Sequence, residues 1–420
     1  MEAAPAVGST AVKAASRTFR GKFLNSFGEG ETKVNIKTTL KASVAAAALF
    51  AVAVPVAEAG TVSNGNGNSV TLSGQINKAF AYHDDGKASD TAIVDNDNSG
   101  SRFRILGSGK VNEAVSVGTA MEIEFQDAAM NDWKVNDSNS NANPADAEGS
   151  GADTFGQTHF NQRRMEAFIS HKQFGKVSIG QGPTASDGTA ETSLSGAGIA
   201  AGGGFNFNDT SQNVRTVNQA NNTFGTDTWG TKFTNLDGLS RNDRIRYDTP
   251  TFAGFQVSGS ALGNGAADVA LRYSGKFGGI AVKAATSYVN TSGSSTTVDN
   301  TYVISAAAEH DSGINVRGTY GKAMKKAAAT DDTKSYSLGI GYDASLTSMG
   351  TTSFAVGYFK TDDLETNDDE ATQVDFGVVQ SIKDAGTELY VGVALLEFED
   401  SSAVNYEDAT SIIAGTRIKF

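Results

Sequence analysis

The chain ends on the stretch Ala409-Thr-Ser-Ile-Ile-Ala-Gly-Thr-Arg-Ile-Lys-Phe420, in which two kinds of side chain alternate. One set is apolar or small and ends at Phe420, whereas the other ends in the basic residues Arg417 and Lys419. A period of two predicts a β-strand with two unlike faces. The last residues of soluble domains are usually polar and loose, whereas a strand that closes a membrane barrel can end on an interfacial aromatic. The stretch therefore favours a membrane barrel over its alternative, a strand packed on a soluble β-sandwich.

Composition narrows the class of protein. The 420 residues include 47 Gly, only 5 Pro and no Cys, and 39% are hydrophobic. A barrel tolerates this low hydrophobic content because only alternate residues of each strand face lipid. The lack of Cys excludes a disulfide framework and thiolate metal sites. A formal net charge of -13 argues against a nucleic-acid partner, which would require a basic face.

Residues 36–59 have the pattern of a signal peptide. Lys37 and Lys41 precede an apolar segment of 13 residues, and Ala57-Glu58-Ala59 is a small-residue cleavage site. Thirteen residues are too few to span a bilayer as a helix, for which about 20 are needed. The sequence therefore predicts export, with residues 60–420 as the barrel and residues 1–35 as an N-terminal extension or a mis-assigned translation start.

The rest of the chain predicts an all-β protein. About sixteen alternating segments follow one another from Val70 to Phe420, and the loops between them are alternately short and long. Residues 183–240 carry no sustained alternation, and such a long stretch without secondary structure is unusual in a compact domain. The lumen of a wide barrel has room for a long loop. We therefore expect a transmembrane antiparallel β-barrel whose long third external loop, about 183–240, folds into the lumen.

Three segments carry a resemblance to a known family, namely Ser101–Gly107, Phe174–Gln181 and Arg244–Phe255. In this order and spacing they resemble the general porins of the Gram-negative outer membrane. The resemblance implies a homotrimer of sixteen-stranded barrels among outer-membrane lipid and lipopolysaccharide. Each barrel would hold a water-filled pore, narrowed by its third external loop, for ions and small hydrophilic solutes. The predicted loop lacks the Pro-Glu-Phe-Gly motif common in the enteric branch of the family.

Arginines mark the predicted inner wall. A charge on the lipid face at the bilayer midplane costs about 2–4 kcal/mol. In the segment around residue 245, Ile245 and Tyr247 must therefore face lipid while the arginines beside them face the lumen. By the same argument the predicted lumenal arginines are Arg102, Arg104, Arg244 and Arg246. Arg164 joins them only if Met165, Ala167 and Ile169 face lipid, and the pattern of its strand leaves both orientations open. The predicted inserted loop carries acids that would face this wall, namely Asp187, Glu191, Asp209 and Asp227. Opposed charges of this kind would set up a transverse field and an ion preference, or lock the loop to the wall by ion pairs.

No cofactor is expected. Acidic external segments such as Asp331-Asp332 and Asp362-Asp363 have oxygen ligands that suit Ca²⁺, but they lack EF-hand spacing, and solvated acidic loops are the simpler interpretation. The four His form no His-Glu-x-x-His motif, and no nucleophile elbow or phosphate loop stands out. The alternatives to a porin are a surface structural or adhesive β-protein and, more remotely, an outer-membrane hydrolase barrel.

The closing stretch acquires a specific role within this architecture. As the sixteenth strand it must pair with the first, because a membrane barrel leaves no strand edge unpaired. Its apolar set, from Ile412 to Phe420, should face lipid, with Arg417 and Lys419 inside. The family resemblance further implies that Phe420 is the mark by which the assembly machinery recognises the chain.

Overall fold

The computed structural model describes residues 60–63, 65, 67–86, 89–126, 130, 159–202, 228–401 and 406–420. The predicted signal peptide (36–59) and the segment before it (1–35) lie outside these ranges, so both assignments remain predictions. Within the described residues, no helix is long and apolar enough to cross a membrane.

Antiparallel strands make up nearly all of the regular structure. The strands are β1 (Gly60–Ser63), β2 (Asn68–Asp84), β3 (Ser89–Asp95), β4 (Arg102–Lys110), β5 (Val115–Gln126), β6 (His159–His171), β7 (Gly175–Pro183), β8 (Arg241–Asp248), β9 (Phe255–Leu262), β10 (Ala267–Phe277), β11 (Ile280–Asn290), β12 (Val298–His310), β13 (Ile314–Lys325), β14 (Thr333–Thr347), β15 (Gly350–Asp362), β16 (Glu370–Ile382), β17 (Thr387–Glu399) and β18 (Ala409–Lys419). Among the described residues the only α-helix is the single turn α1 (Trp229–Lys232).

The barrel closes where its first long strand meets its last. β2 pairs with β18 on one side and with β4 on the other. β1 and β3 pair only alongside β2, which leaves sixteen strands in a closed antiparallel ring. The predicted count and closure are therefore confirmed, and the two short extra strands are additions that the sequence pattern did not indicate.

Phe420 and Gly74 complete this closure. The N–H of Phe420 donates to the carbonyl oxygen of Gly74 at 3.0 Å, and the N–H of Gly74 donates back to the carbonyl oxygen of Phe420 at 2.7 Å. A Cβ on Gly74 would lie 2.6 Å from the phenyl ring, so glycine leaves the space in which the terminal ring packs. The last residue of the chain is thus hydrogen-bonded into the first barrel strand.

The strand alternation separates an apolar outer surface from a polar inner one. In β14, Leu338, Ile340 and Tyr342 are exposed on the outside, whereas Ser335 and Ser337 are buried inside. Soluble monomers rarely expose a large continuous apolar surface, whereas an apolar outer face matches the lipid-facing band of a membrane barrel.

The two rims of the barrel differ. Tight turns occupy one rim, where Gly175 and Gly313 adopt φ of 85° and 89°. A Cβ on Gly313 would lie 1.9 Å from the carbonyl oxygen of Asp343, so only glycine fits this turn. Most of the longer loops lie at the opposite rim. In outer-membrane barrels the short turns are periplasmic and the long loops extracellular.

The third long loop, between β7 and β8, lies inside the barrel, and we call its residues 184–240 the inner loop. Its described parts are 184–202 and 228–240. It makes hydrogen bonds to inward side chains of eight successive strands, namely Ser260, Asp268, Ser287, Ser305, Thr319, Asp343, Thr361 and Asp375. The prediction that the long third external loop folds into the lumen is confirmed.

Small residues on β9–β16 bring the inner loop close to the wall, and we call this part of the inner wall the seat. A Cβ on Gly377 would lie 2.6 Å from the Cβ of Ala201, and a Cβ on Gly339 would lie 2.4 Å from the carbonyl oxygen of Gly202. Protein interiors pack without such overlaps. Glycine at these two wall positions therefore lets the loop backbone rest directly on the sheet.

The returning half of the inner loop is held by an apolar cluster. The ring of Phe233 lies 5.9 Å from that of Phe359 on β15. Lys232 Nζ lies 4.6 Å from the ring centroid of Phe398 on β17, and the same ammonium forms an ion pair with Glu365. Burial of these rings and the cation–π contact both stabilise the loop against the wall.

Candidate functional site: the pore lining

Six arginines on β4, β6 and β8 line one side of the lumen, and we call them the basic arc. They are Arg102, Arg104, Arg163, Arg164, Arg244 and Arg246. Along β8, Arg244 and Arg246 alternate with Ile245 and Tyr247. The side chains of Ile245 and Tyr247 are 56% and 43% exposed on the outer surface. The structure thus places on the inner wall all five arginines that the sequence singled out, together with one that it missed.

Arg163 is the arginine that sequence reasoning missed. It is the extra residue of a β-bulge in β6, where the register with β5 shifts. A bulge leaves one residue out of the alternation, so two successive side chains can share a face. Arg163 Nη1 donates to Glu124 at 2.6 Å, and the neighbouring Arg164 donates to Glu166. Strict alternation would have turned one of the two towards lipid, so the linear pattern held no signal for this pair.

Glu122 on β5 gathers three guanidinium groups. Arg104 Nε donates to its carboxylate at 2.6 Å and Arg163 Nε at 2.7 Å, while Arg102 Nη1 lies 3.6 Å away. A charge-assisted hydrogen bond to a carboxylate is roughly twice as strong as one between neutral groups. These contacts therefore hold Arg102, Arg104 and Arg163 in one geometry around Glu122.

A second buried carboxylate, Glu166 on β6, holds the start of the inner loop. It accepts a hydrogen bond from Arg244, which also donates to the carbonyl oxygen of Pro183 at 3.0 Å. Arg246 donates to the carbonyl oxygen of Thr184 at 2.7 Å. These two arginines therefore anchor the point at which the chain leaves β7 and enters the lumen.

Two carboxylates of the basic arc, Glu122 and Glu166, lie beneath its more exposed guanidinium groups. The Glu122 side chain is 2% exposed while that of Arg104 is 36% exposed, and the Glu166 side chain is 2% exposed while that of Arg164 is 25% exposed. Planar guanidinium groups remain charged and present several N–H donors. At these two places the wall therefore offers more positive than negative charge to lumenal water.

Asp237 ties the two limbs of the inner loop together. Its carboxylate accepts hydrogen bonds from the N–H groups of Gly188 and Ala190, each at 2.7 Å. Nearby, Glu191 accepts from Asn235 Nδ2 at 3.2 Å. Burial between the loop and the wall, together with the negative charge of Glu191, raises the pKa of Asp237 to about 7. The hydrogen bonds from the two N–H groups act in the opposite direction.

The acids of the inner loop lie near arginines other than those of the basic arc. Arg272 on β10 donates to the carbonyl oxygen of Asp187 at 2.7 Å. The positive charges that act on Glu191 are Arg317 on β13 and Arg241 on β8. The other two predicted acids, Asp209 and Asp227, lie outside the described residues. The predicted pairing of loop acids with the basic arc is therefore replaced by two separate pairings. The basic arc pairs with wall carboxylates, whereas Arg272, Arg317 and Arg241 lie near the acids of the inner loop.

The acidic external loops do bring carboxylates together. Oxygen atoms of Asp331, Asp363 and Asp368 lie within 4.8 Å of one another. Asp363 already forms an ion pair with Lys334 at 3.0 Å. This contact partly neutralises the cluster, and the expectation of Ca²⁺ in these loops stays a prediction.

The fold and the pore lining together define a class. A closed sixteen-stranded barrel with an apolar outside, a polar inside and a loop folded into its lumen is an outer-membrane channel. The family model for Gram-negative porins matches residues 42–401, and the chain belongs to that family. It is therefore a diffusion channel of the outer membrane and not an enzyme.

Solved structures with this fold include several porins. The chain is 19% identical to the anion-selective porin from Comamonas acidovorans, with a TM-score of 0.54, and the match covers 84% of this chain and 100% of that one. The trimer form of OmpT from Vibrio cholerae is 15% identical to this chain, with a TM-score of 0.52, and the match covers 84% of this chain and 99% of that one. OmpF from Salmonella typhi is 12% identical, with a TM-score of 0.50, and the match covers 86% of this chain and 100% of that one. At these identities the likeness concerns the fold. No curated protein sequence matched the chain.

Proposed function

We propose that this porin favours small anions and anionic hydrophilic solutes. The observation that carries the proposal is the layering at Glu122 and Glu166, where the more exposed guanidinium groups of Arg104 and Arg164 cover the carboxylates that neutralise them. A narrow lumen with low-dielectric walls strengthens the effect of fixed charge on passing ions. The Comamonas protein of similar fold is described as anion-selective, which agrees with this direction.

The inner loop supplies the opposite side of the proposed constriction. Glu191 is exposed to the lumen, and Asp237 adds a second carboxylate whose charge depends on pH near neutrality. A field would then run across the pore from the basic arc to the loop. Dipolar solutes would align in this field, while the net preference would follow the more exposed guanidinium groups.

We also propose that the channel works as a homotrimer surrounded by outer-membrane lipid and lipopolysaccharide. Membership of the porin family supports this, and the OmpT structure of similar fold is described as a trimer. Gel mobility of unboiled and boiled samples tests it, because a folded trimer migrates differently from the heated chain. A sample that runs as a folded monomer would contradict the trimer.

The test of ion preference is the reversal potential of single channels in a KCl gradient. The double variant Arg104→Gln, Arg164→Gln removes the two most exposed guanidinium groups of the basic arc and should shift the potential towards cations. Lys110→Gln is the matched control, because Lys110 lies near a short turn at the far rim, in an ion pair with Glu113. An unchanged potential in the double variant would overturn the anion preference, and a wild type without current would overturn the channel itself.

A further inference from the structure

A short segment between β3 and β4 leaves the sheet, and we call its residues 96–101 the inward bend. Both strands pair with the same edge of β2, where Asp95 lies opposite Lys78 and Arg102 lies opposite Gln75. Six residues of the inward bend therefore correspond to only two residues of β2. A simple β-bulge adds one extra residue to a strand. An excess of four cannot stay in the plane of the sheet.

Side chains of three strands hold the inward bend on the lumenal side of the sheet. Arg417 Nη1 on β18 donates to Ser99 Oγ at 2.7 Å, and Gln75 Nε2 on β2 donates to the carbonyl oxygen of Ser99 at 2.8 Å. Arg102 on β4, which belongs to the basic arc, donates from Nε to the carbonyl oxygen of Gly100 at 2.9 Å. The inward bend is therefore fixed to the wall next to the basic arc.

The inward bend contacts the inner loop at one carbonyl oxygen. Asn98 Nδ2 donates to the carbonyl oxygen of Ile199 at 3.1 Å, and Asn96 Nδ2 donates to the same oxygen at 3.4 Å. Ile199 lies in a tight turn of the loop, where the N–H of Ala201 donates to the carbonyl oxygen of Ala197 at 3.0 Å. A carbonyl oxygen has two lone pairs, so it can accept both hydrogen bonds. The two side-chain amides thus hold the backbone of the loop directly.

The same turn of the inner loop also rests on the seat. A Cβ on Gly377 of β16 would lie 2.6 Å from the Cβ of Ala201, and the N–H of Gly202 donates to Asp375 at 2.7 Å. The turn is therefore held by two separate parts of the ring, namely the seat and the junction of β2 with β4.

We propose that Asn96 and Asn98 are positioning residues that hold this turn of the inner loop and so keep the width of the pore constant. The open lumen lies between the basic arc and the inner loop, and the inward bend is bonded to both, through Arg102 and through Ile199. The amide groups that contact the loop are uncharged. They fix a distance without adding to the ion preference, so the inference does not depend on the proposed selectivity.

The experiment measures the motion of the turn with a nitroxide spin label on Gly198→Cys, in the full-length mature protein in lipid vesicles. The chain has no other cysteine, and a Cβ at this position meets nothing within 4 Å. Asn96→Ser, Asn98→Ala removes both amide donors, while serine retains an oxygen to cap the N–H of residue 98. Asn112→Ala, Asn264→Ala is the control, because these two asparagines cap turns of the wall.

We expect the mobile fraction of the label to rise about tenfold in Asn96→Ser, Asn98→Ala. One hydrogen bond changes an equilibrium by about a factor of five, and the bond from Asn96 is the longer of the two. Open-channel current noise should rise in the same variant, and the control should match the wild type in both measurements. A label as immobile as in the wild type would overturn the inference.

Asn98→Ala by itself supplies the test if the double variant does not fold. It removes only the 3.1 Å bond, so the mobile fraction should rise about fivefold. An unchanged fraction in this variant would overturn the inference as well.

The reversal potential in a KCl gradient separates this inference from the proposed function. Both asparagine variants should keep the wild-type potential, because Arg104 and Arg164 are unchanged. A shifted potential with an immobile label would mean that the asparagines act on the ions themselves, and it would overturn the positioning role. A mobile label in the variants of a protein that shows no anion preference would support the positioning role and overturn the proposed selectivity alone.

Discussion

The two sides of the inner wall share the same strand alternation but carry different inward side chains. The basic arc, on β4–β8, carries long charged side chains that extend into the lumen and keep it open to water. The seat, on β9–β16, carries many Ser, Gly and Ala together with a few charged side chains such as Arg272 and Asp375, and the inner loop lies against it. Gly377 and Gly339 leave room for loop backbone, whereas Arg104 and Arg164 occupy the equivalent space on the other side.

This difference teaches that side-chain size on the inner face decides where the loop goes, and therefore where the pore is. A loop that packed against the basic arc would bury guanidinium groups that already pair with wall carboxylates, and burying charge is costly. On the seat, Arg272 and Arg317 lie beside the loop residues Asp187 and Glu191. Against the seat it finds small residues and polar hydrogen-bond partners such as Asp268 and Asp375. The open channel is left on the charged side.

The largest effect should come from breaking the buried network of the basic arc. Glu166→Ala leaves Arg244 buried without its carboxylate, and removal of one partner of a buried ion pair costs about 3–5 kcal/mol. Urea unfolding in lipid vesicles should show this loss in the free energy of unfolding. Glu113→Ala is the control, because Lys110 and Glu113 are 51% and 88% exposed and such surface pairs contribute little. Equal stability of the two variants would contradict the structural role of Glu166.

A smaller effect is expected from the seat. Gly377→Leu places a side chain where Ala201 now packs, so the loop must move away from the wall and into the open lumen. Single-channel conductance should fall while the barrel remains folded and heat-modifiable. Gly198→Ala is the control on the loop itself, because a Cβ there meets nothing within 4 Å. Conductance that is unchanged in Gly377→Leu would mean that the loop does not rest on this part of the wall.

The smallest effect should be a pH dependence at the side of the pore opposite the basic arc. The pKa of Asp237 is raised to about 7, so its carboxylate is charged at pH 8 and neutral at pH 6. The reversal potential should move further towards anions as the pH falls through 7, and Asp237→Asn should remove this step. Glu113→Gln, at the distant short-turn rim, should keep it. A step of the same size in Asp237→Asn would assign the titration to another group.

The same shift has a consequence for stability. An exposed aspartate has a pKa of about 4, so the folded protein holds this proton more tightly than the unfolded chain does. The contribution of Asp237 to stability is therefore fully present below pH 4 and declines as the pH rises towards 7. Asp237→Asn should flatten this part of the stability profile.

Much of the site could be predicted because the outer face constrains the inner one. Once Ile245 and Tyr247 were assigned to lipid, Arg244 had to face inward, and its contact with Pro183 agrees with that assignment. The same rule applied to Leu271 and Tyr273 places Arg272 on the inner wall, where it donates to the carbonyl oxygen of Asp187. The rule could not predict Arg163, because the bulge in β6 breaks the alternation on which the rule depends.

The sequence by itself determined the barrel, its strand number and the two faces of each strand, since a period of two and the exclusion of charge from lipid act locally. Only the tertiary structure decided which charges pair across the lumen and where the inner loop rests. Glu122 meets Arg104 and Arg163 because three strands lie side by side, and Ala201 meets Gly377 across 175 residues of chain. Such contacts depend on the closed register of the ring, which no single strand contains.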